Sequence, residues 1–168
     1  MPAHRVLVFA FSLLTLILSA ATRPASATPG AGEAVPGDSL YTEAGKLYAT
    51  ERYVEAIPLF ERVVSLDPYF ANAYALLGSS FLHLGVYEKA IANFEKALRL
   101  DEGIKLAYLG LIAANYYTSR IEIAQKWARK CMPVLSPGEK DRWVAFLERK
   151  FPELQPALTS VAVLGREG

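Results

Sequence analysis

The chain has 168 residues, 52% hydrophobic and 21% charged, with a formal charge of +1. This leaves room for one folded domain plus a targeting segment, and it is too apolar a composition for a disordered chain. Lys and Arg are interleaved with Asp and Glu, so the charge gives no reason to expect nucleic acid or an anionic membrane as partner.

Residues 1–27 read as a secretory signal. Met1–Arg5 is a short basic start, Val6–Ala21 is an apolar run broken by Ser12, Thr15 and Ser19, and Ala25-Ser26-Ala27 offers the small-x-small pattern of a cleavage site. The mature chain is then expected to start at Thr28, which turns the net charge from +1 to −1 because Arg5 and Arg23 leave without an acid. The 16-residue run falls short of the roughly 20 residues that span a hydrocarbon core. Cleavage is therefore expected, and an uncleaved anchor is the alternative. Residues 28–37 (TPGAGEAVPG) carry Pro and Gly without an apolar period and read as a flexible leader.

A repeat governs the middle of the chain. Tyr74, Leu77, Gly78, Phe81, Gly85, Tyr87, Ala90, Phe94, Ala97, Leu100 and Asp101 set the clearest unit. Tyr41, Gly45, Tyr48, Tyr53, Ala56, Phe60, Leu66, Asp67 and Pro68 repeat its marks upstream, with one residue missing from the turn near Glu51-Arg52 in this alignment. Pro58 falls inside a helix and predicts a mild kink near its first turn. Downstream the pattern weakens: Tyr108, Leu111, Ile121, Ala124 and Cys131 match, but Ile112 replaces the small residue and Ala128 the aromatic. Trp127, one position earlier, is expected to supply the missing volume. These spacings resemble the tetratricopeptide repeat, a 34-residue helix–turn–helix unit. The resemblance implies an all-α fold, a right-handed superhelical stack of antiparallel helix pairs. Its expected units are about 38–70, 71–104 and 105–134.

Ser136-Pro137-Gly138-Glu139 has the form of a capping box, with Glu139 reaching back to Ser136. Trp143, Phe146 and Leu147 then share one helical stripe. A capping helix over 135–151 is predicted, ending before Pro152. Residues 152–168 read as a loose tail, or as a segment that pairs with a partner through TSVAVL.

Catalysis needs convergent groups, and the candidates are few. Beyond residue 27 there is one histidine, His83, and one cysteine, Cys131. Cys131 occupies a slot that the repeat fills with a small buried residue, which favours a structural thiol. One His and one Cys make no zinc set. No catalytic residue, metal site or cofactor is expected, and the chain is read as non-enzymatic.

In the tetratricopeptide family the first helix of each unit lines a concave groove that holds peptides or helices. Carried over by the alignment, the resemblance implies groove positions at Thr42, Lys46 and Ala49, then Asn72, Ala75, Ser79, Leu82 and His83. The third unit contributes Leu106, Leu109, Ala113, Tyr116 and Tyr117. Tyr116 and Tyr117 are the expected anchors, with one of the two packing on the capping helix. Lys46 and Asn72 make an incomplete set for clamping a carboxylate in the manner of the family's chaperone adaptors. The expected function is a protein–protein interaction module of the cell envelope, periplasmic or secreted, that binds a peptide or helix of another protein. The alternative is a self-assembling or membrane-tethered scaffold that uses the N-terminal helix or the tail. Intact-mass measurement of the chain recovered from expressing cells is expected to show Thr28 as the first residue; a mass that includes Met1 would leave the anchor in place.

Overall fold

The computed structural model describes residues 36–155. The expected signal, most of the leader and the tail from 156 lie outside the described residues. Seven helices are described: α1 (Pro36–Ala49), α2 (Tyr53–Leu66), α3 (Ala71–His83), α4 (Tyr87–Leu100), α5 (Lys105–Tyr117), α6 (Ile121–Cys131) and α7 (Pro137–Lys150). Short 3-10 turns at Met132–Val134 and Pro152–Leu154 flank α7. The described residues contain no strand, and no helix among them is long and apolar enough to cross a membrane. α1 to α6 form three antiparallel pairs in a right-handed superhelical stack, and α7 caps it.

The turns set the period. Within each pair the chain reverses through a left-handed residue: Glu51 (φ 60), Gly85 (φ 73) and Ser119 (φ 59), spaced 34 apart. The amides that follow close the same bonds each time, Arg52 to Leu47, Val86 to Phe81 and Arg120 to Asn115, at 2.9, 2.9 and 2.8 Å. Glycine takes that backbone conformation at least cost, so the first and third turns hold it with a penalty that Gly85 avoids. Between pairs, the Asp67 carboxylate accepts the Tyr69 amide at 2.9 Å, and the Asp101 carboxylate accepts the Gly103 amide at 2.8 Å. These Asx turns replace helix with reversal at fixed places.

This period corrects one reading of the sequence. No residue is missing near Glu51-Arg52, since α2, α4 and α6 start at Tyr53, Tyr87 and Ile121. The residue one period before Gly78 is Ala44, which is fully buried, and a side-chain carbon on Gly45 would meet nothing within 4 Å. Sequence matching favoured Gly45 because its neighbours Tyr41 and Tyr48 mimic Tyr74 and Phe81. The backbone bonds show the true phase.

Packing converges on Phe94. A Cβ on Gly78 would stand 3.0 Å from the Phe94 ring and 3.1 Å from the Ala90 carbonyl. A Cβ on Gly110 would stand 2.1 Å from the same ring. Phe94 on α4 is therefore held between α3 of its own pair and α5 of the next. The weaker third pair keeps its volume by exchange: Ile112 and Ala128 are both fully buried, and Trp127 packs edge-to-face on Tyr108 at 6.1 Å. Pro58 is exposed and α2 runs on through it, giving up the backbone bond its position would make to Val54.

The cap is tied by charge as well as by packing. The Glu139 carboxylate accepts the Ser136 amide at 2.9 Å and its hydroxyl at 2.8 Å, and it pairs with Lys105 at the start of α5. The Lys105 ammonium, with the two Ser136 donors, holds this carboxyl down at about 2. Leu147, Phe151 and Leu154 are buried beneath it.

Two outcomes follow for unfolding measurements. Gly110→Ala is expected to destabilise the fold by about 1–3 kcal/mol because the Phe94 ring must move, whereas Gly45→Ala is expected to stabilise it by about 0.5–1 kcal/mol through helix propensity alone. Glu139 has a lower pKa folded than unfolded, so its contribution is full above the ordinary glutamate value of about 4.3 and fades as pH falls toward about 2. Thermal melts of the Glu139→Gln variant should show a shallower acid loss over that window.

Candidate binding groove

The first helices α1, α3 and α5 present equivalent positions every 34 residues, and these positions define the concave side. Across the middle of each helix one row is small, Gly45, Ser79 and Ala113, while the row of Ala75 continues as Tyr41 and Leu109. Ala75 and Ser79 on α3 are buried, as is Ala113 on α5, and Gly45 holds the corresponding place on α1. The Ser79 hydroxyl is engaged with the Tyr48 hydroxyl at 2.8 Å. Ala75 and Ser79 are therefore floor and offer no free side chain.

The two edges of this floor are open. At the starts of the helices Asn72 and Leu106 are exposed. At their ends a row of rings recurs with the period. His83 stacks face-to-face on Tyr53 at 4.4 Å, with Tyr48 against both. One repeat later Tyr117 meets Tyr87 at 5.9 Å, and Tyr117 remains 49% exposed. Each pair joins the end of one first helix to the start of the preceding second helix.

Tyr116 and Tyr117 part company. Tyr116 packs on Phe151 at 4.8 Å and its hydroxyl donates to the Glu153 carboxylate, which keeps that carboxyl below the usual range and raises the phenol. Gln125 donates to the Glu153 carbonyl at 3.2 Å. The segment after α7 thus occupies Tyr116, and Tyr117 is the ring left to the groove.

Thr42 and Lys46 lie elsewhere. They stand one period before Leu76 and Ser80 and two before Gly110 and Ala114, on the face that α3 and α5 turn to the preceding pair. No pair precedes α1 among the described residues, so these two are exposed. With Asp38, Ser39 and Glu43 they line a shallow polar depression of about 530 Å³ at the end of the stack. A polar end face is what an open repeat array needs for solubility.

Leu109 opens into a second cleft of about 300 Å³, walled by Glu139, Arg142, Trp143 and Phe146 of α7. Tyr48, Tyr53 and Tyr87, which the sequence offers only as marks of the repeat, stand on this edge. The 34-residue spacing of Tyr53 and Tyr87 was the available signal. As for chemistry, no group of three or more His, Cys, Asp and Glu able to hold a metal occurs among the described residues. Burial pushes the Cys131 thiol up to about 12, so almost no thiolate exists at neutral pH.

Comparison with known proteins follows the same lines. Residues 71–103 match the family model described as tetratricopeptide repeat. A stretch of 62 residues, 35% of this chain, is 40% identical to the Hsp70-Hsp90 organizing protein of Triticum aestivum. That stretch is 11% of the relative's length. Among solved structures, the first tetratricopeptide domain of Spaghetti (RPAP3), bound to the HSP90 peptide SRMEEVD, is similar with a TM-score of 0.57 and 19% identity, covering 76% of this chain and 91% of that one. The type III secretion translocator chaperone SycD of Yersinia enterocolitica gives a TM-score of 0.60 at 16% identity, covering 79% of this chain and 96% of its own. Residues 71–103 thus match one tetratricopeptide repeat, and the same period and the same fold extend to the helix pairs on either side of it.

Proposed function

We propose that the chain is a non-catalytic adaptor of the cell envelope that holds a peptide or helix of another protein along the concave side of its first helices. The observation that carries this reading is the floor of small residues, Ala75, Ser79 and Ala113, between edges that expose Asn72 and Leu106 on one side and His83 and Tyr117 on the other. The edge side chains are the ones left exposed, and the half-exposed Tyr117 supplies aromatic area with a hydroxyl at low entropy cost. Peptide binding by the structurally similar Spaghetti domain supports the mode, although that protein's ligand is not carried over. The envelope setting rests on the basic start, apolar run and small-residue exit of residues 1–27.

Photo-cross-linking tests this reading in the native cell. A photoreactive residue in place of Leu106 or Tyr117 is expected to trap one discrete envelope protein, and the same residue in place of Lys126 on α6 is expected to trap none. Trapping of that protein from Lys126 but not from Leu106 or Tyr117 would move the site to the outer face of the stack.

A further inference from the structure

The turn edge of the stack repeats its geometry with different side chains, and the difference isolates one surface. Between the second and third pairs Arg120, the residue before α6, donates to the Glu88 carboxylate at 3.5 Å and to the Thr118 hydroxyl at 2.9 Å. Glu88 follows Tyr87 in the chain and Thr118 follows Tyr117, so this arginine bridges the two sides of that ring pair with polar groups. One period earlier the ring pair is Tyr53 with His83. There the positions of Glu88, Thr118 and Arg120 are held by Val54, Leu84 and Val86. All three stand in solvent, 70%, 42% and 38% exposed.

Three aliphatic side chains thus replace, at the first ring pair, the polar bridge that closes the second. The packing of the helices does not call for them, since the same positions are polar one repeat later. A single exposed aliphatic residue is ordinary, but three at positions that meet, beside a stacked tyrosine and histidine, make a patch that a partner covers.

Charge at this patch has one sign. Arg52 is committed to Glu55, its Nε donating at 2.7 Å, whereas Glu51 enters no ion pair among the described residues. Glu51 stands near enough to Tyr53 that its charge, after burial, raises that phenol. An apolar surface rimmed by an unpaired carboxylate and open rings complements a large apolar side chain next to a cation, and Glu51 repels an acidic segment.

We propose that Val54, Leu84 and Val86, with the Tyr53 and His83 rings, are a docking patch for a segment of the groove's partner in which a large apolar side chain adjoins a lysine or arginine. The apolar side chain covers the three aliphatics, and the cation lies by Glu51 and the rings. This rests on the groove reading, because His83 belongs to the same edge, and it supplies the chemistry of the partner at that end.

The probe is a random peptide library displayed on phage and selected on the whole chain. Peptides in which a large apolar residue neighbours Lys or Arg are expected to be enriched. The triple variant Val54→Glu, Leu84→Thr, Val86→Arg gives the first ring pair the polar bridge of the second. It is expected to weaken those peptides about tenfold or more, with a urea unfolding midpoint no lower than the parent's. Glu51→Lys, a change at an exposed side chain, is expected to abolish the preference for Lys and Arg. Peptides lost with Leu106→Ala and Tyr117→Ala that bind the triple variant as before would overturn the patch and leave the groove. Peptides lost with the triple variant but indifferent to Leu106→Ala and Tyr117→Ala would support the patch and overturn the groove reading, and loss with both sets supports both. Enrichment of nothing, or of acidic peptides, overturns the proposal. So does self-association of the parent in sedimentation that the triple variant abolishes, because a second copy then covers the face.

Discussion

The ring of Phe94 is the contact on which the stack depends. It lies between Gly78 of its own pair and Gly110 of the next, so near both backbones that neither position can carry a β-carbon without displacement. One side chain thereby fixes the crossing of α3 on α4 and of α4 on α5. A solenoid has only neighbour contacts to hold it, and this one concentrates the junction between its second and third pairs on a single fully buried ring. The glycines contribute by absence: each removes the atom that would hold the helices apart.

From that junction outward the structure trades identity for volume. Where Gly78 faces Phe94, the equivalent positions of the next pair are Ile112 and Ala128, both fully buried, and Trp127 packs edge-to-face on Tyr108. The same reasoning explains how a repeat can lose its hallmark residues and keep its geometry. What cannot drift is the turn, because its length sets the phase of every helix after it. The left-handed residues at 51, 85 and 119 keep that spacing although only one of them is glycine.

The two ends of the array are finished by different means. At α1 the face that internal helices bury is polar, with Asp38, Ser39, Thr42, Glu43 and Lys46 exposed to solvent. At the other end an ion pair, Lys105 with Glu139, aligns α7 beside α5, and Phe151 and Glu153 close over Tyr116. Using Tyr116 to seat the cap leaves Tyr117, with Leu106, Asn72 and His83, as the exposed side chains along the proposed groove. The groove is accordingly narrower in its chemistry than the list of first-helix residues implies.

Much of this was legible in the residues themselves. The order of aromatic, small and aliphatic residues around Tyr74–Asp101 specifies a helix pair, Ser136 and Glu139 specify the start of the cap, and the reuse of the pattern specifies a stack, since one such pair cannot bury its own apolar face. The phase of α1 was not legible. Tyr41, Gly45 and Tyr48 imitate the next unit at a spacing one residue short, and only the backbone bonds that close the turn reveal that Ala44 is the buried residue. Nor could the sequence separate Tyr116 from Tyr117, because what distinguishes them is a segment more than thirty residues later that folds back on one. Local pattern determined the helices and their pairing, because those depend on spacing along the chain. Tertiary structure decided which residues are floor, edge or cap, because that depends on what each face meets across the stack.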